Sequence, residues 1–290
     1  LSERSASEAA TLLADARREA SELRSRSQGE ASTALANAEA RAQELVAAGR
    51  TAHDTKVALE TKFKNLIKEH GLEKRFRTKK GRLSLTEANC RKVASIVQTK
   101  TGSSRLGQKL EADVDALVAA RKAEKAASEE LGQVGAEFLE NTGEPPRTVI
   151  PGIGGVGGGN RSFDLLAVDE KVESIGFVEA KGGLHPKMGH ARNLLRDGSF
   201  GEELEQGTAA YLNHIARQDK NFLQLLRDNP DLWERIKNGQ VTLNNVVCKT
   251  RTADLSLIER TTEQFTLEAR TIEELDAKIN PPPTTNGTTP

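Results

Sequence analysis

Aromatic residues are scarce in this chain, with one Trp, one Tyr and eight Phe among 290 residues, and hydrophobic residues reach only 36%. That supply is thin for one compact core of this length, so a good part of the chain is expected to be elongated or weakly packed helix. Cysteine is scarcer still. Cys90 and Cys248 stand far apart and outside any CxxC, which excludes a disulfide framework or a structural zinc site. Two unpaired thiols are expected, compatible with a reducing compartment. No apolar run is long enough for a membrane-spanning helix, so no membrane partner is expected. An excess of either charge is also lacking, with 42 Lys and Arg against 42 Asp and Glu. Any contact with a polyanion must therefore come from local patches. Leu1 is not an initiator Met and opens no signal-peptide pattern, so the chain reads as a fragment or a processed product. A cytoplasmic site of action is favoured, with secreted delivery left open.

What is abundant is Ala, Glu and Arg at helical spacing. Over residues 1–70, Leu12, Leu13, Ala16, Ala20 and Leu23, then Leu35, Ala38, Ala42 and Leu45, recur with a helix period. Ala is the best helix former and small knobs allow close helix approach, so a long hairpin or coiled coil is expected, without contact to any site. The segment 71–105 carries about ten Lys or Arg, among them Lys74, Arg75, Arg77, Lys79, Lys80 and Arg82, against about two acids. Such clustering is what phosphate binding requires, though a solvated basic loop has the same composition. A helix over Leu85–Gln98, capped by Ser84 or Thr86, ends near Gly102. The apolar positions Leu110, Val114, Leu117, Leu131, Val134 and Phe138 predict another helix over 105–141, stopped by Gly143 and Pro145-Pro146. The expected organisation is a helical arm over 1–104, an α/β core over 105–280 and a disordered tail over 281–290.

Pro151 to Gly159 contains GxGxxG, but a strand rather than a helix is expected after it, which argues against dinucleotide binding and for a hairpin loop. Phe163–Val168 and Ile175–Lys181 are β-type runs around a polar loop, Asp169–Ser174. Symmetrical pairing about that loop sets Asp164 opposite Glu179. Strand alternation points Glu179 and Lys181 to one face. Two carboxylates and an ammonium within roughly 4–8 Å would suit a divalent metal and an activated water. His185 and His190 cannot share a helix face across Pro186, so zinc is not expected there. His185 or Lys187 could line a cleft rim. A helix over Glu202–Gln218 is expected to carry Gln206, Gly207 and Tyr211, with Gly207 allowing close approach to the sheet and Gln206 bonding a site carboxylate, lysine or phosphate. Further helices at Phe222–Arg227 and Leu232–Lys237 are expected, then a strand at Val241–Thr250 and edge strands at Asp254–Thr261 and Phe265–Ala269. A capping box at Thr271–Glu274 would open a last helix.

Asp164, fourteen residues, then Glu179-Ala180-Lys181 resembles the D…ExK signature of the PD-(D/E)XK nuclease superfamily. The order helix–strand–strand–strand–helix–strand over the second half of the chain resembles that superfamily's core, and the Gln…Tyr helix resembles its REase-type toxin and exonuclease branches. One departure stands out: Ser162-Phe163, not Pro, precedes Asp164. The resemblance implies a restriction-endonuclease-like α/β core, a mixed sheet flanked by helices, behind a coiled-coil-like arm. It implies a Mg2+- or Mn2+-dependent nuclease acting on nucleic acid, DNA in particular, as the C-terminal toxin part of a larger protein. Asp164 and Glu179 would hold the metal, joined by Glu137 from the first core helix, with Glu130 as the weaker alternative. Lys181 and Gln206 would complete the catalytic set. A helix-mediated second copy or an immunity protein would be further partners. The rivals are a non-catalytic coiled-coil scaffold with an α/β nucleic-acid or protein binding module, which requires no convergence of Asp164, Glu179 and Lys181, and a nucleotide binder, which requires a helix starting at Gly158–Asn160.

Overall fold

The Ala-rich stretch forms one continuous helix, α1 (Ser2–Glu69). The computed structural model describes residues 2–143, 146–151, 163–169, 171–183, 190–194, 200–251 and 258–281. No hairpin closes within residues 1–70. The antiparallel partner of α1 is instead α4 (Ser104–Thr142), reached through a one-turn helix α2 (Glu73–Phe76) and α3 (Glu87–Thr101). The start of α3 is fixed by Thr86, whose Oγ1 accepts from the Asn89 amide, and its end by Gly102 at φ 65°. Phe63 and Ile67 of α1 are buried with Cys90, Val93 and Val97 of α3 and Leu110, Val114 and Leu117 of α4. Each such side chain contributes about 1.5–3 kcal/mol by leaving water. Farther along, Ala42 and Leu45 meet Leu131. Ion pairs line the seam: Lys56–Glu124 at 2.6 Å, Arg121–Glu60 at 2.7 Å, and Arg41–Glu130 and Lys62–Asp113. No described helix is long and apolar enough to cross a membrane.

Thus α4 carries two apolar faces, one toward α1 and one toward the sheet. The expected division at 104/105 falls at the N-terminus of this shared helix. The sheet is mixed and five-stranded: β1 (Arg147–Pro151), β2 (Leu165–Asp169), β3 (Ser174–Gly182), β6 (Thr242–Thr250) and β7 (Glu259–Phe265), in that spatial order. The first three run antiparallel, β3 and β6 pair in parallel, and β7 closes antiparallel on β6. A separate two-stranded sheet pairs β4 (His190–Leu194) with β5 (Phe200–Glu205). The crossover between β3 and β6 continues through α5 (Ala209–Ala216), α6 (Lys220–Asp228) and α7 (Pro230–Lys237), and α8 (Ala269–Ile279) follows β7. The architecture is an α/β core with a mixed sheet flanked by helices, preceded by a long helix.

The few aromatics are concentrated on one face of this sheet. The Phe177 ring meets Phe163 at 4.6 Å, Phe222 at 5.0 Å and Phe265 at 5.2 Å between centroids, all edge-on. Tyr211, Trp233, Ile175 and Leu243 join them. The opposite face is built from smaller residues, Ala167, Val178, Ala180 and Val246, against Ala136 of α4.

The Asp169–Ser174 loop pins the register of the central hairpin. Asp169 Oδ1 accepts from the Glu173 amide at 2.9 Å, and Oδ2 from the Ser174 amide at 2.6 Å and hydroxyl at 2.7 Å. Leu165 therefore pairs with Val178 and Leu166 with Phe177. One pair further, Asp164 faces Glu179.

Three expectations are corrected. Residues 202–205 belong to β5, not to a helix, and Gly207 sits at φ 87° in the turn before α5. A left-handed residue cannot lie inside a right-handed helix, and Thr208 caps α5 through the Tyr211 amide. The region after β6 contains β7, Glu259–Phe265, where two edge strands were expected; residues 252–257 lie outside the described set, and Ala269 already begins α8. Thr271 is buried inside α8, while the Glu268 amide at its entrance donates to Asn213 Oδ1 at 2.8 Å. The Gly-rich loop, His185, Lys187 and the tail beyond Pro281 lie outside the described residues.

Helix α4 and strand β3 approach almost backbone to backbone. A methyl on Gly132 would fall 2.7 Å from the Gly182 nitrogen and 2.8 Å from the Lys181 carbonyl carbon. Gly132→Ala is expected to cost about 1–3 kcal/mol because main chain cannot give way as a side chain can. Gly29→Ala on α1, where nothing lies within 4 Å, is expected to gain up to about 1 kcal/mol of helix propensity. Urea unfolding of both variants checks this; equal and small effects would contradict the close approach.

Candidate functional site

At the end of the central hairpin away from its loop, three side chains converge. Lys181 Nζ donates to Glu179 Oε2 at 3.0 Å and to Asp164 Oδ2 at 3.4 Å. These are direct lysine–carboxylate contacts, tighter than the 4–8 Å expected. Asp164 Oδ2 also accepts from the Ala180 amide at 2.8 Å, which locks the carboxylate onto β3. Exposure grades across the group: Glu179 is 1% exposed, Lys181 17% and Asp164 41%. The arrangement has a buried floor and an open rim.

Gln206 joins from the turn before α5. Its Nε2 donates to Glu179 Oε2 at 3.0 Å and to the Tyr211 hydroxyl at 3.2 Å. The turn itself is held by Asn245 of β6, whose Nδ2 donates to the Gly207 carbonyl at 3.0 Å. Glu179 Oε1 is buried without a hydrogen-bond partner of good geometry among the described residues, the Tyr211 hydroxyl adjoining the same carboxylate. An orphaned carboxylate oxygen in such a place is costly unless something else binds it.

Burial dominates the electrostatics. It pushes the Glu179 carboxyl up from an ordinary 4.5 to about 7, against the pull of the Lys181 charge and with a further push from Asp164. Burial also works to lower Lys181, but the Glu179 and Asp164 carboxylates outweigh it and hold the ammonium above its usual range. Lys181 is therefore a fixed cation at neutral pH. The Tyr211 hydroxyl is raised by burial and by the Glu179 charge, so it stays protonated.

Glu137 does not join this group. It lies on α4, where Ala136 packs on the sheet face opposite Glu179, and its Oε1 accepts from Gln133 at 2.9 Å. Glu130 pairs with Arg41 of α1. Among the described residues, no set of three or more acidic, His or Cys side chains gathers as metal donors. The donors that converge are the two carboxylates of Asp164 and Glu179.

Three contributors escaped the sequence reading. Asp219 is buried and caps α6, with Oδ1 accepting from the Phe222 amide and Oδ2 from the Phe163 amide, both at 2.8 Å. It thereby ties down the residue before Asp164; an Asp directly before a helix was the available signal. Asn245 interrupts a β-branched run, which marks a polar task inside a core strand. Lys249 is the parallel partner of Lys181 in β6 and shares its sheet face. It is half-buried and has no carboxylate partner among the described residues. Its position depends on a parallel register set across a long crossover, which no local pattern announces.

The raised Glu179 carboxyl sets a pH dependence. Between about pH 4.5 and pH 7 the folded chain keeps a proton that the unfolded chain has released, so stability falls as pH rises through that window. Glu179→Gln cannot titrate. In chelator, wild type is expected to lose on the order of 2–3 kcal/mol relative to this variant between pH 4.5 and about pH 8, read by urea titration. Parallel curves would contradict burial as the controlling influence.

No protein-family model, no curated protein and no solved structure matches this chain, so the geometry and chemistry of the hairpin end are what a functional reading rests on.

Proposed function

We propose that this chain is a metal-dependent nuclease that hydrolyses phosphodiester bonds of nucleic acid, DNA in particular, through a restriction-endonuclease-like core of the PD-(D/E)XK type. The observation that carries the reading is the contact of Lys181 with both Asp164 and Glu179 while one Glu179 oxygen stays buried without a hydrogen-bond partner of good geometry. A non-catalytic scaffold offers no reason to collect these three groups at one sheet end.

The donor set fits Mg2+ or Mn2+. Both are hard cations that keep several waters and need only one or two carboxylates. Asp164 and Glu179 would hold the ion, which when bound polarises a phosphoryl oxygen and acidifies a coordinated water. The remaining work falls to the chain. Lys181, charged at neutral pH, holds the attacking water in place and offsets charge building on the phosphate. Gln206 restrains one Glu179 oxygen and so leaves the other available. The Tyr211 hydroxyl supports Gln206 and stays neutral. Lys249, one strand over, supplies a second positive charge on the same face.

The test separates the ligand from the cation. Glu179→Gln is expected to weaken Mg2+ binding in a calorimetric titration and to abolish plasmid cleavage. Lys181→Ala is expected to keep Mg2+ binding near wild type while lowering the cleavage rate by about 10²–10³. Wild-type cleavage rates in both variants would remove the hairpin from consideration as an active site.

A further inference from the structure

A second charged feature lies apart from this site. Chain segment Phe76–Ser84 folds back on itself as a small finger. The Ser84 amide donates to the Phe76 carbonyl at 2.8 Å, the Thr78 amide to the Arg82 carbonyl at 2.7 Å, and the Gly81 amide to the Thr78 carbonyl at 2.9 Å. Arg77 and Leu83 form the bridge between its limbs, and Gly81 turns the tip at φ 77°. Its base is anchored in the helical core by Phe76, 3% exposed, and Leu85, 8% exposed. Arg121 Nη1 also donates to the Leu85 carbonyl at 2.8 Å.

Six cations sit on or beside this finger: Lys74, Arg75, Arg77, Lys79, Lys80 and Arg82, all exposed. None has a carboxylate partner among the described residues, and Glu73 is the one acid in the stretch 72–86. The contrast with the α1–α4 seam is informative. There Arg41, Lys56, Lys62 and Arg121 each meet a carboxylate. In a chain of zero net charge, the finger keeps its cations unneutralised and mutually repelling, on a base that holds them in place.

We propose that the finger grips the phosphate backbone of double-stranded DNA. Its chemistry separates this partner from others. A membrane-inserting loop or a protein hot spot needs an apolar or aromatic anchor at its centre, but Phe76 and Leu85 point inward, and the exposed large hydrophobic side chain among the described residues is Val57 of α1. Single strands are held by stacking on exposed aromatics, which the finger lacks. What it offers is charge on a rigid support, and a duplex repays that through counterion release without base contacts.

The finger is also separate from the carboxylate site. Its base is level with Arg121 of α4, whereas β3 meets α4 at Gly132; that stretch of helix spans about 16 Å at ~1.5 Å per residue. Gripping and cutting are therefore separable functions, and the grip does not depend on the cleavage reading.

The experiment is fluorescence anisotropy of the full chain with a 30-base-pair DNA duplex in chelator, over a range of salt. The variant Arg77→Ala/Lys79→Ala/Lys80→Ala/Arg82→Ala is expected to bind at least about tenfold more weakly, with a log–log salt slope shallower by about 2–4. The charge-preserving variant Arg77→Lys/Lys79→Arg/Lys80→Arg/Arg82→Lys is expected to match wild type. A single-stranded oligonucleotide should bind more weakly than the duplex. Unchanged binding by the alanine variant, equal loss in the charge-preserving variant, or preference for the single strand would each overturn the assignment. Tight duplex binding without metal-dependent cleavage would sink the nuclease reading and leave the grip standing.

Discussion

Between Gly132 of α4 and Gly182 of β3 the two backbones come so near that a methyl group on either would overlap the other, and the geometry of the candidate site descends from that contact. With β3 pressed flat on the helix, its alternate residues point to the far face, into the aromatic cluster. Glu179 is thereby buried where water cannot solvate it. A carboxylate in such a position must be neutralised, paired or bound. Lys181, two residues on and on the same face, is the nearest cation. Asp164 and Gln206 fill the remaining directions: the Ala180 amide holds the first, and the Thr208 and Asn245 side chains fix the main chain of the turn that carries the second.

This arrangement explains how a chain poor in aromatics supports a buried charge. The available rings are concentrated on the sheet face that Glu179 shares, where Phe163, Phe177, Phe222 and Tyr211 pack together beside the candidate site. The small-residue face lets α4 approach, and α4 in turn is stiffened along its other side by α1. Rigidity matters here because an ion pair in a dry site offsets its desolvation only when its geometry does not wander. The long helix α4, backed by α1, thus packs against the sheet face opposite the candidate site.

The central hairpin was legible because period-two alternation and a polar loop are local signals, and Asp169 is the kind of residue that closes such a loop. Its register followed, and with it the meeting of Asp164, Glu179 and Lys181. Less was legible where partners are distant. Ala-rich periodicity announces a helix but not its neighbour, so it allows a hairpin within 1–70 or a coiled coil and does not single out α4 as the partner of α1. Glu137 lies between the two apolar faces of α4, and the pattern alone could not show which face looks at the sheet. Leu204, Tyr211 and Ile215 mimic a helical stripe across the β5–α5 boundary, and Gly207 marked the break. Lys249 became visible only with the parallel pairing of β3 and β6.

The hairpin end is proposed to direct water to phosphorus. The most direct measurement is digestion of duplex DNA in 18O-labelled water with Mg2+, followed by mass spectrometry of the new ends. One labelled oxygen per cut is expected, carried on the terminal phosphate and absent in chelator. Intact DNA, or cut ends without label, would contradict it.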